Sequence, residues 1–280
     1  MPVALLGFVW VHLGIGPATA QSVPLADTTL STQVLDLGGQ NFQVLQGSSA
    51  GSNLFHSFQA FSVPTAGSVT FVHGPGITNI FSRVTGGQVS SIDGRLATSG
   101  TANLFLLNPA GIVFGPNASL NLGGSFLGTT ASSLKFSDGT VFSAALQPQL
   151  LTVSVPIGLQ FAGKSGGIQL QGNGHNVTGQ SRPDRRTALV NGPTTQALTV
   201  NPGQNLQFVG SEILLDGAVL RVPQGSLDLG GVQAGTVAIA PDGKLDYGQV
   251  SQFGAVTLQG RSILDNSGPA AVVSRSGVPR

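Results

Sequence analysis

The chain has 280 residues, 41 of them glycine and 16 proline; 8% are charged, 40% are hydrophobic, and the net charge is +1. Ordinary soluble domains carry ~25% charged residues, so this composition excludes coiled coils, long helical bundles and charged disordered tails. Near-balanced charge argues against a nucleic-acid partner, and the absence of cysteine removes disulfides, thiolate metal sites and cysteine nucleophiles.

What remains is an all-β chain with glycine turns and a large apolar interior. Residues 3–15 are mostly apolar, and Ala18-Thr19-Ala20 fits a small-x-small cleavage site before Gln21. Residues 1–20 therefore read as a secretory signal peptide cut between Ala20 and Gln21. It departs from the usual pattern in one respect, because no Lys or Arg precedes its apolar core. The stretch is too short for a comfortable membrane span.

Next come Asn53-Leu54-Phe55-His56-Ser57-Phe58 and Phe61. Ser68-Val69-Thr70-Phe71-Val72 alternates as a strand does. Twelve of the 15 phenylalanines lie between Phe42 and Phe161, where they are expected as core and can stack as a ladder inside a solenoid. Turn signals recur at Asp93-Gly94, Asp138-Gly139, Asp216-Gly217 and Asp242-Gly243. Residues 166–195 are expected as a polar loop or excursion, with Arg182, Arg185 and Arg186 as solvated loop residues.

Two later segments align without gaps. Gly217 to Gly230 matches Gly235 to Gly248 at an offset of 18, and seven of 14 positions are identical. A looser copy starts at Gly111 and another begins at Gly254. A period near 20 points to a solenoid whose coils bury a continuous inner column by stacking. Leu227 and Leu229 share one strand face and Asp228 takes the other. A parallel β-helix follows. A leucine-rich repeat lacks its Leu/Asn consensus here, and a propeller blade needs about twice the length.

Several stretches then carry a resemblance to a family. Asn53, Phe55, His56 and Phe58 resemble the opening of the haemagglutination-activity, or two-partner-secretion, domain of filamentous-haemagglutinin-type exoproteins. Ile80-Phe81-Ser82-Arg83-Val84-Thr85-Gly86-Gly87 and Ile92-Asp93-Gly94 continue it. Its strongest piece is Asn103-Leu104-Phe105-Leu106-Leu107-Asn108-Pro109-Ala110-Gly111-Ile112, similar to the family's Asn-Pro-Asn-Gly-Ile signature with its preceding Asn. Ala110 stands where the family usually has Asn, and a second motif, Asn-Pro-Asn-Leu, is not evident. The chain looks most similar to the cyanobacterial branch, and the clear resemblance covers residues 36–142.

The resemblance implies a right-handed, single-stranded parallel β-helix with an N-terminal cap and small extra-helical hairpins. It implies export to the periplasm and recognition by an outer-membrane transporter with POTRA domains and a barrel. The exoprotein would then act at the cell surface as an adhesin, with a host or environmental glycan or surface as ligand. Asn103, Asn108, Pro109, Gly111 and Ile112 would form the secretion motif. Two roles stay open for it: direct contact with the transporter, or a rigid corner, since Pro fixes φ and Asn bonds its own turn.

The expected organisation is a signal peptide over 1–20, the two-partner-secretion domain over 21–165, the excursion over 166–195, and continuing coils over 196–280 that begin a passenger. The chain end suggests a longer exoprotein. No metal or other cofactor is implied, since the histidines lack metal-ligand spacing and His56 reads as a packed or turn residue. The rival readings are a stand-alone carbohydrate-binding adhesin and a polysaccharide lyase or hydrolase. The latter needs clustered carboxylates. Its best pair is Asp228 and Asp246, expected one above the other on neighbouring coils.

Overall fold

Residues with an apolar side chain at every second position form strands that can be apolar on both faces only if both are covered. The computed structural model, which describes residues 23–146, 150–181, 187–191 and 196–266, shows how that is done. Strand Asn53–Ala60 pairs in parallel with Asn79–Val84, which pairs with Asn103–Leu107, then Phe126–Thr129, Leu206–Gly210 and Leu227–Ile239. This is the long face. A second face stacks Ser90–Ile92, Ile112–Phe114, Ile168–Gln171, Ile213–Asp216 and Val256–Gln259. A third stacks Asn41–Gln46, Ser68–Phe71, Arg95–Thr98 and Ser119–Asn121, and farther along the helix Leu198–Thr199, Val219–Arg221 and Ile263–Asp265.

The chain visits the three faces in turn, one strand per face, so it is a parallel β-helix. No helix occurs among the described residues. At the N-terminus Leu25–Ala26 and Ser48–Ala50 lie antiparallel to the first coil, and Thr32–Asp36 pairs antiparallel with Asn41–Gln46. These segments cover an end that would otherwise expose unpaired backbone groups.

Inside, Leu54, Phe58, Ile80, Leu104, Phe126, Leu206 and Phe208 join one continuous core with Val69, Ile92, Ile112 and Ile213 from the other faces. A second core lies outside the long face. Ser133–Phe136, Val141–Ser143, Pro156–Ala162, the distal half of Leu227–Ile239, and Leu245–Phe253 form an antiparallel sheet. The second core brings Phe136, Phe142, Leu159, Phe161 and Val237 together with the outward-facing Phe55, Phe81, Leu107, Leu127 and Val209.

Phenylalanines meet inside the helix as expected, Phe126 and Phe208 of neighbouring coils with ring centres 5.8 Å apart, but a second ladder lies on its outside. Phe55 and Phe81 stack at 5.2 Å between ring centres, and Phe81 meets Phe105 at 4.7 Å and Phe136 at 5.2 Å. The register decides this: Leu54 and Phe55 are adjacent, so one must point in and the other out. Phe81→Ala leaves a void between three rings and is expected to destabilise the domain by about 3–5 kcal/mol in urea unfolding.

Two other expectations change. The 18-residue repeat is not the coil period: at the corner before the long face successive coils advance by 26, 24 and 22 residues, then by 80 where the outer sheet is inserted, then by 21. The second copy, Gly235 to Gly248, folds back as an antiparallel hairpin. Asp228 pairs in register with Gln207 on the coil below, whereas Asp246 pairs with Ala238 across the hairpin. A Pro-x-Gly turn between short strands suits a coil corner and a hairpin equally, so the local match carries no register. The two carboxylates are not stacked. In the segment expected as a polar excursion, Ile168–Gln171 is a full coil strand between Ile112–Phe114 and Ile213–Asp216. The excursion proper is the hairpin of Val177–Ser181 and Thr187–Asn191. Arg182, Arg185 and Arg186, like the expected signal peptide and its cleavage site at Ala20 and Gln21, lie outside the described residues.

Candidate functional site

The residues singled out in the sequence lie at coil corners and beneath the outer sheet. At the corner entering the long face, Asn53, Asn79 and Asn103 form a ladder. Asn103 Nδ2 donates to Asn79 Oδ1 at 3.0 Å, and Asn79 Nδ2 donates to Asn53 Oδ1 at 3.2 Å. The ends are closed: Asn53 Nδ2 donates to the carbonyls of Thr152 and Ser154, and the Ser125 amide donates to Asn103 Oδ1. The ladder thus ties the first coils to the loop that closes the outer sheet. The motifs alone do not mark Asn79, yet the sequence carries a signal for it. Asn53-Leu54-Phe55, Asn79-Ile80-Phe81 and Asn103-Leu104-Phe105 repeat one tripeptide, spaced by one coil.

Asn108 occupies the corner leaving the long face, and it is fully buried. Its Nδ2 donates at 2.9 Å to both the Gln88 carbonyl and Ser90 Oγ of the previous coil. Its Oδ1 accepts from the Ala110 amide at 3.0 Å, and its carbonyl accepts from the Gly111 amide. Its own amide donates to the Thr129 carbonyl of the next coil. One side chain and its backbone therefore fix three successive coils. The Pro109 carbonyl accepts from the Gly166 amide, Ile112 is in the core, and Gly111 has φ +125°, a conformation that a Cβ would strain. Asn108→Asp replaces two donated hydrogen bonds by a buried charge facing a carbonyl. It is expected to destabilise by about 2–4 kcal/mol, whereas Ala110→Asn, on a half-buried position, stays within about 0.5 kcal/mol. Urea midpoints for the two variants check this.

Phe55, His56 and Phe58 are also buried. His56 lies 5.4 Å from the Phe71 ring and 6.2 Å from Phe58, and neither ring nitrogen has a hydrogen-bond partner. Burial pushes its pKa down to about 3. The neutral imidazole is thus a core residue, as its sequence setting suggested.

Beside it sits a group that the sequence reading does not anticipate. Arg83 faces outward under the outer sheet with no exposed surface. Nε donates to Ser57 Oγ at 2.8 Å, Nη1 to the Ser143 carbonyl at 2.6 Å and Nη2 to Thr29 Oγ1 at 2.8 Å, while the guanidinium lies 5.1 Å over the Phe142 ring. Burial lowers its pKa, and the charge of Asp27 opposes that shift. Burial opposes ionisation of Asp27, but hydrogen bonds from Ser57, Thr29 and Thr85 outweigh it and hold the carboxyl below its usual range. This cluster joins the N-terminal cap, the first two coils and the outer sheet. An Arg inside an otherwise apolar run, Ile80-Phe81-Ser82-Arg83-Val84, is its only trace in the sequence.

Between residues 155–157 and 239–243 the outer sheet leaves open a cleft of about 380 Å³, floored by the Asn79–Asn103–Ser125–Asn205 row and its neighbours Phe105 and Gln207. Among the described residues no group of His, Asp and Glu side chains could hold a metal ion.

A β-helix whose distinctive side chains lock coil corners and an outer sheet is a rigid scaffold. The TPS secretion domain family matches residues 21–278, and the chain belongs to that family. It is thus a two-partner-secretion domain, and the family is one of secretion domains, not a known enzyme family. Among solved structures, the HMW1 secretion domain from Haemophilus influenzae is similar at 15% identity and a TM-score of 0.50, over 82% of this chain and 50% of that one. The chain thus spans about half the length of that structure, and the likeness is one of fold. The filamentous hemagglutinin secretion domain gives 17% identity and a TM-score of 0.39, over 88% of this chain and 100% of that chain. No curated protein matches the sequence.

Proposed function

We propose that this domain is recognised in the periplasm by the POTRA domains of an outer-membrane barrel, and that it nucleates β-helix folding of a surface adhesin as the chain emerges. A signal peptide over residues 1–20 delivers it to the periplasm. The observation that carries this reading is the corner at Asn108, set within a family match that covers residues 21–278. Its side chain is buried and fully bonded once the coils form. In the folded domain it therefore acts by fixing the corner, and the transporter reads either that shape or the motif before it folds.

The geometry also supports growth by templating. In a solenoid each coil contacts only its neighbours, so a formed coil is the template for the next. The last described coil presents Val256, Leu258 and Leu264 as exposed apolar side chains on strands paired on one side only. A following coil laid on them would bury that surface and oppose sliding back through the pore.

The test is co-expression of the full chain with the POTRA-barrel transporter, and without it, followed by quantification in medium and periplasm. Secretion only with the transporter supports the reading. Equal retention in both strains, with a known substrate secreted as control, overturns it. Asn108→Asp and Ala110→Asn separate shape from contact. If shape is read, secretion follows folding stability, so Asn108→Asp fails and Ala110→Asn is secreted at the parent level. If Ala110→Asn changes secretion without changing stability, the corner is contacted directly.

A further inference from the structure

The long strands of the first coils carry apolar side chains on the face that points away from the helix interior. Phe55, Phe81, Leu107 and Leu127 are buried there because the outer sheet lies over them. We propose that this cover is a lock that sets the order of folding. Asn53–Ala60, Asn79–Val84, Asn103–Leu107 and Phe126–Thr129 stay open until Leu227–Ile239 arrives, and coils and outer sheet then close as one unit.

Three features point to this device. First, the cover comes from far along the chain. Phe136 and Phe142 lie 6.0 and 5.1 Å from Phe55 between ring centres, and Leu159, Phe161 and Val237 complete the same core. Until those residues are in place, the first coils present a row of rings and leucines to water, whereas strands apolar on both faces are normally covered on both. Second, polar clasps follow the same path. Asn53 Nδ2 donates to carbonyls 99 and 101 residues later, at Thr152 and Ser154, and Arg83 Nη1 donates to one 60 residues later, at Ser143. Both side chains are buried in the finished domain, so these donors depend on the late segment for their acceptors.

Third, one strand belongs to both structures. In Leu227–Ile239, residues 227–231 pair in parallel with Leu206–Gly210 as a coil, and residues 234–238 pair antiparallel with Pro156–Ala162 in the outer sheet. The outer sheet is therefore incomplete until that coil forms, and closing the sheet fixes the coil in turn. Pairing segments so distant in sequence costs chain entropy before any contact offsets it, so they form together in one step rather than coil by coil. The N-terminal cap cannot stand in for the cover, because its strands pair at the end of the stack and not over the outer face. Growth by templating then starts from the finished domain, not from its first coil.

Hydrogen-exchange pulse labelling of the full chain, refolding from urea, tests this. Amides of Asn53–Ala60, Asn79–Val84 and Asn103–Leu107 are expected to gain protection at the same rate, within about twofold, as those of Pro156–Ala162 and residues 232–239. Leu159→Ala and Val237→Ala weaken the outer core, to which both side chains belong, and leave the helix interior intact. Each is expected to slow protection of the first coils about fivefold or more, with the same delay in the outer sheet. A native circular dichroism spectrum shows that each variant is folded. Should one fail to fold, the other carries the test, and the order of protection in the parent is a separate readout. Protection of the first coils ahead of the outer sheet in the parent, or an unchanged coil rate in a folded variant, overturns the proposal. Refolding is followed without a transporter, so this outcome is separate from that of the secretion assay.

Discussion

Arg83→Ala is expected to lower the stability of the domain by about 3–5 kcal/mol, because it removes a fully buried guanidinium with three charge-assisted hydrogen bonds and leaves a cavity. The guanidinium satisfies Ser57, Thr29 and the Ser143 carbonyl, and it balances Asp27. Truncation removes three donated hydrogen bonds from under the outer sheet and the cation over Phe142. The expected readout is a lower urea midpoint with earlier loss of amide protection in the cap and in Val141–Ser143 than in the coils. Arg83→Met combined with Asp27→Asn is expected to recover part of the loss, because it removes both charges and refills the volume. If Arg83→Ala costs under about 1 kcal/mol, the cluster does not join cap to outer sheet in the way the geometry indicates. Its effect on secretion then separates folding from recognition, since Arg83 offers no surface to a partner.

The second large effect is in acid. His56 is neutral in the folded domain, with a pKa of about 3, against 6.5 for the free side chain. Between those values the unfolded chain binds a proton and the folded one does not. Stability is therefore full above about pH 6.5 and falls as pH drops toward 3. Every pH unit crossed in that interval costs about 1.4 kcal/mol, so the loss reaches about 4–5 kcal/mol at the acid end and about 2–3 kcal/mol near pH 4.5. The lowered carboxylates Asp27 and Asp93 lose their own stabilisation only below their ordinary range, under about pH 4. The window from pH 6.5 to 4.5 thus isolates the histidine. His56→Leu is expected to flatten the stability slope across that window. It should not weaken the domain at neutral pH, since the imidazole N–H is buried without a partner. A slope unchanged in His56→Leu would assign the acid sensitivity elsewhere.

Much of the architecture was legible because its signals are local. Alternating apolar residues give strands, Pro and Gly mark corners, and stacked coils need a repeated apolar column. The motif residues at 53–58 and 103–112 also stood out, through their resemblance to the two-partner-secretion family. What those residues touch was less legible. The corner at Asn108 satisfies groups from three coils, and Gln88 and Ser90 are distant from it in sequence. The ladder of Asn53, Asn79 and Asn103 was written as a repeated tripeptide, but its spacing shortens from 26 to 24 residues, so a fixed period hides it.

The repeat at Gly217 and Gly235 shows the opposite failure. Its identity is high and its period is constant, yet only the first copy is a coil. Strand and turn propensity are the same in both copies, and the choice between stacking and folding back is made by what lies alongside. Val232 and Val237 are buried with Leu159 and Phe161 in the outer core, so folding back covers the apolar outer face of the long strands.

By itself, then, the sequence determined an all-β chain, its coil corners and its membership in a family of secretion domains. Those depend on residue types and short-range order. Tertiary structure alone decided that the Phe55–Phe81–Phe105 ladder lies outside the helix, that a second sheet covers it, and that Arg83 sits buried beneath that sheet beside Asp27. Both faces of the long strands are apolar, so nothing local distinguishes inside from outside. The assignment is made only when distant segments compete to cover each face.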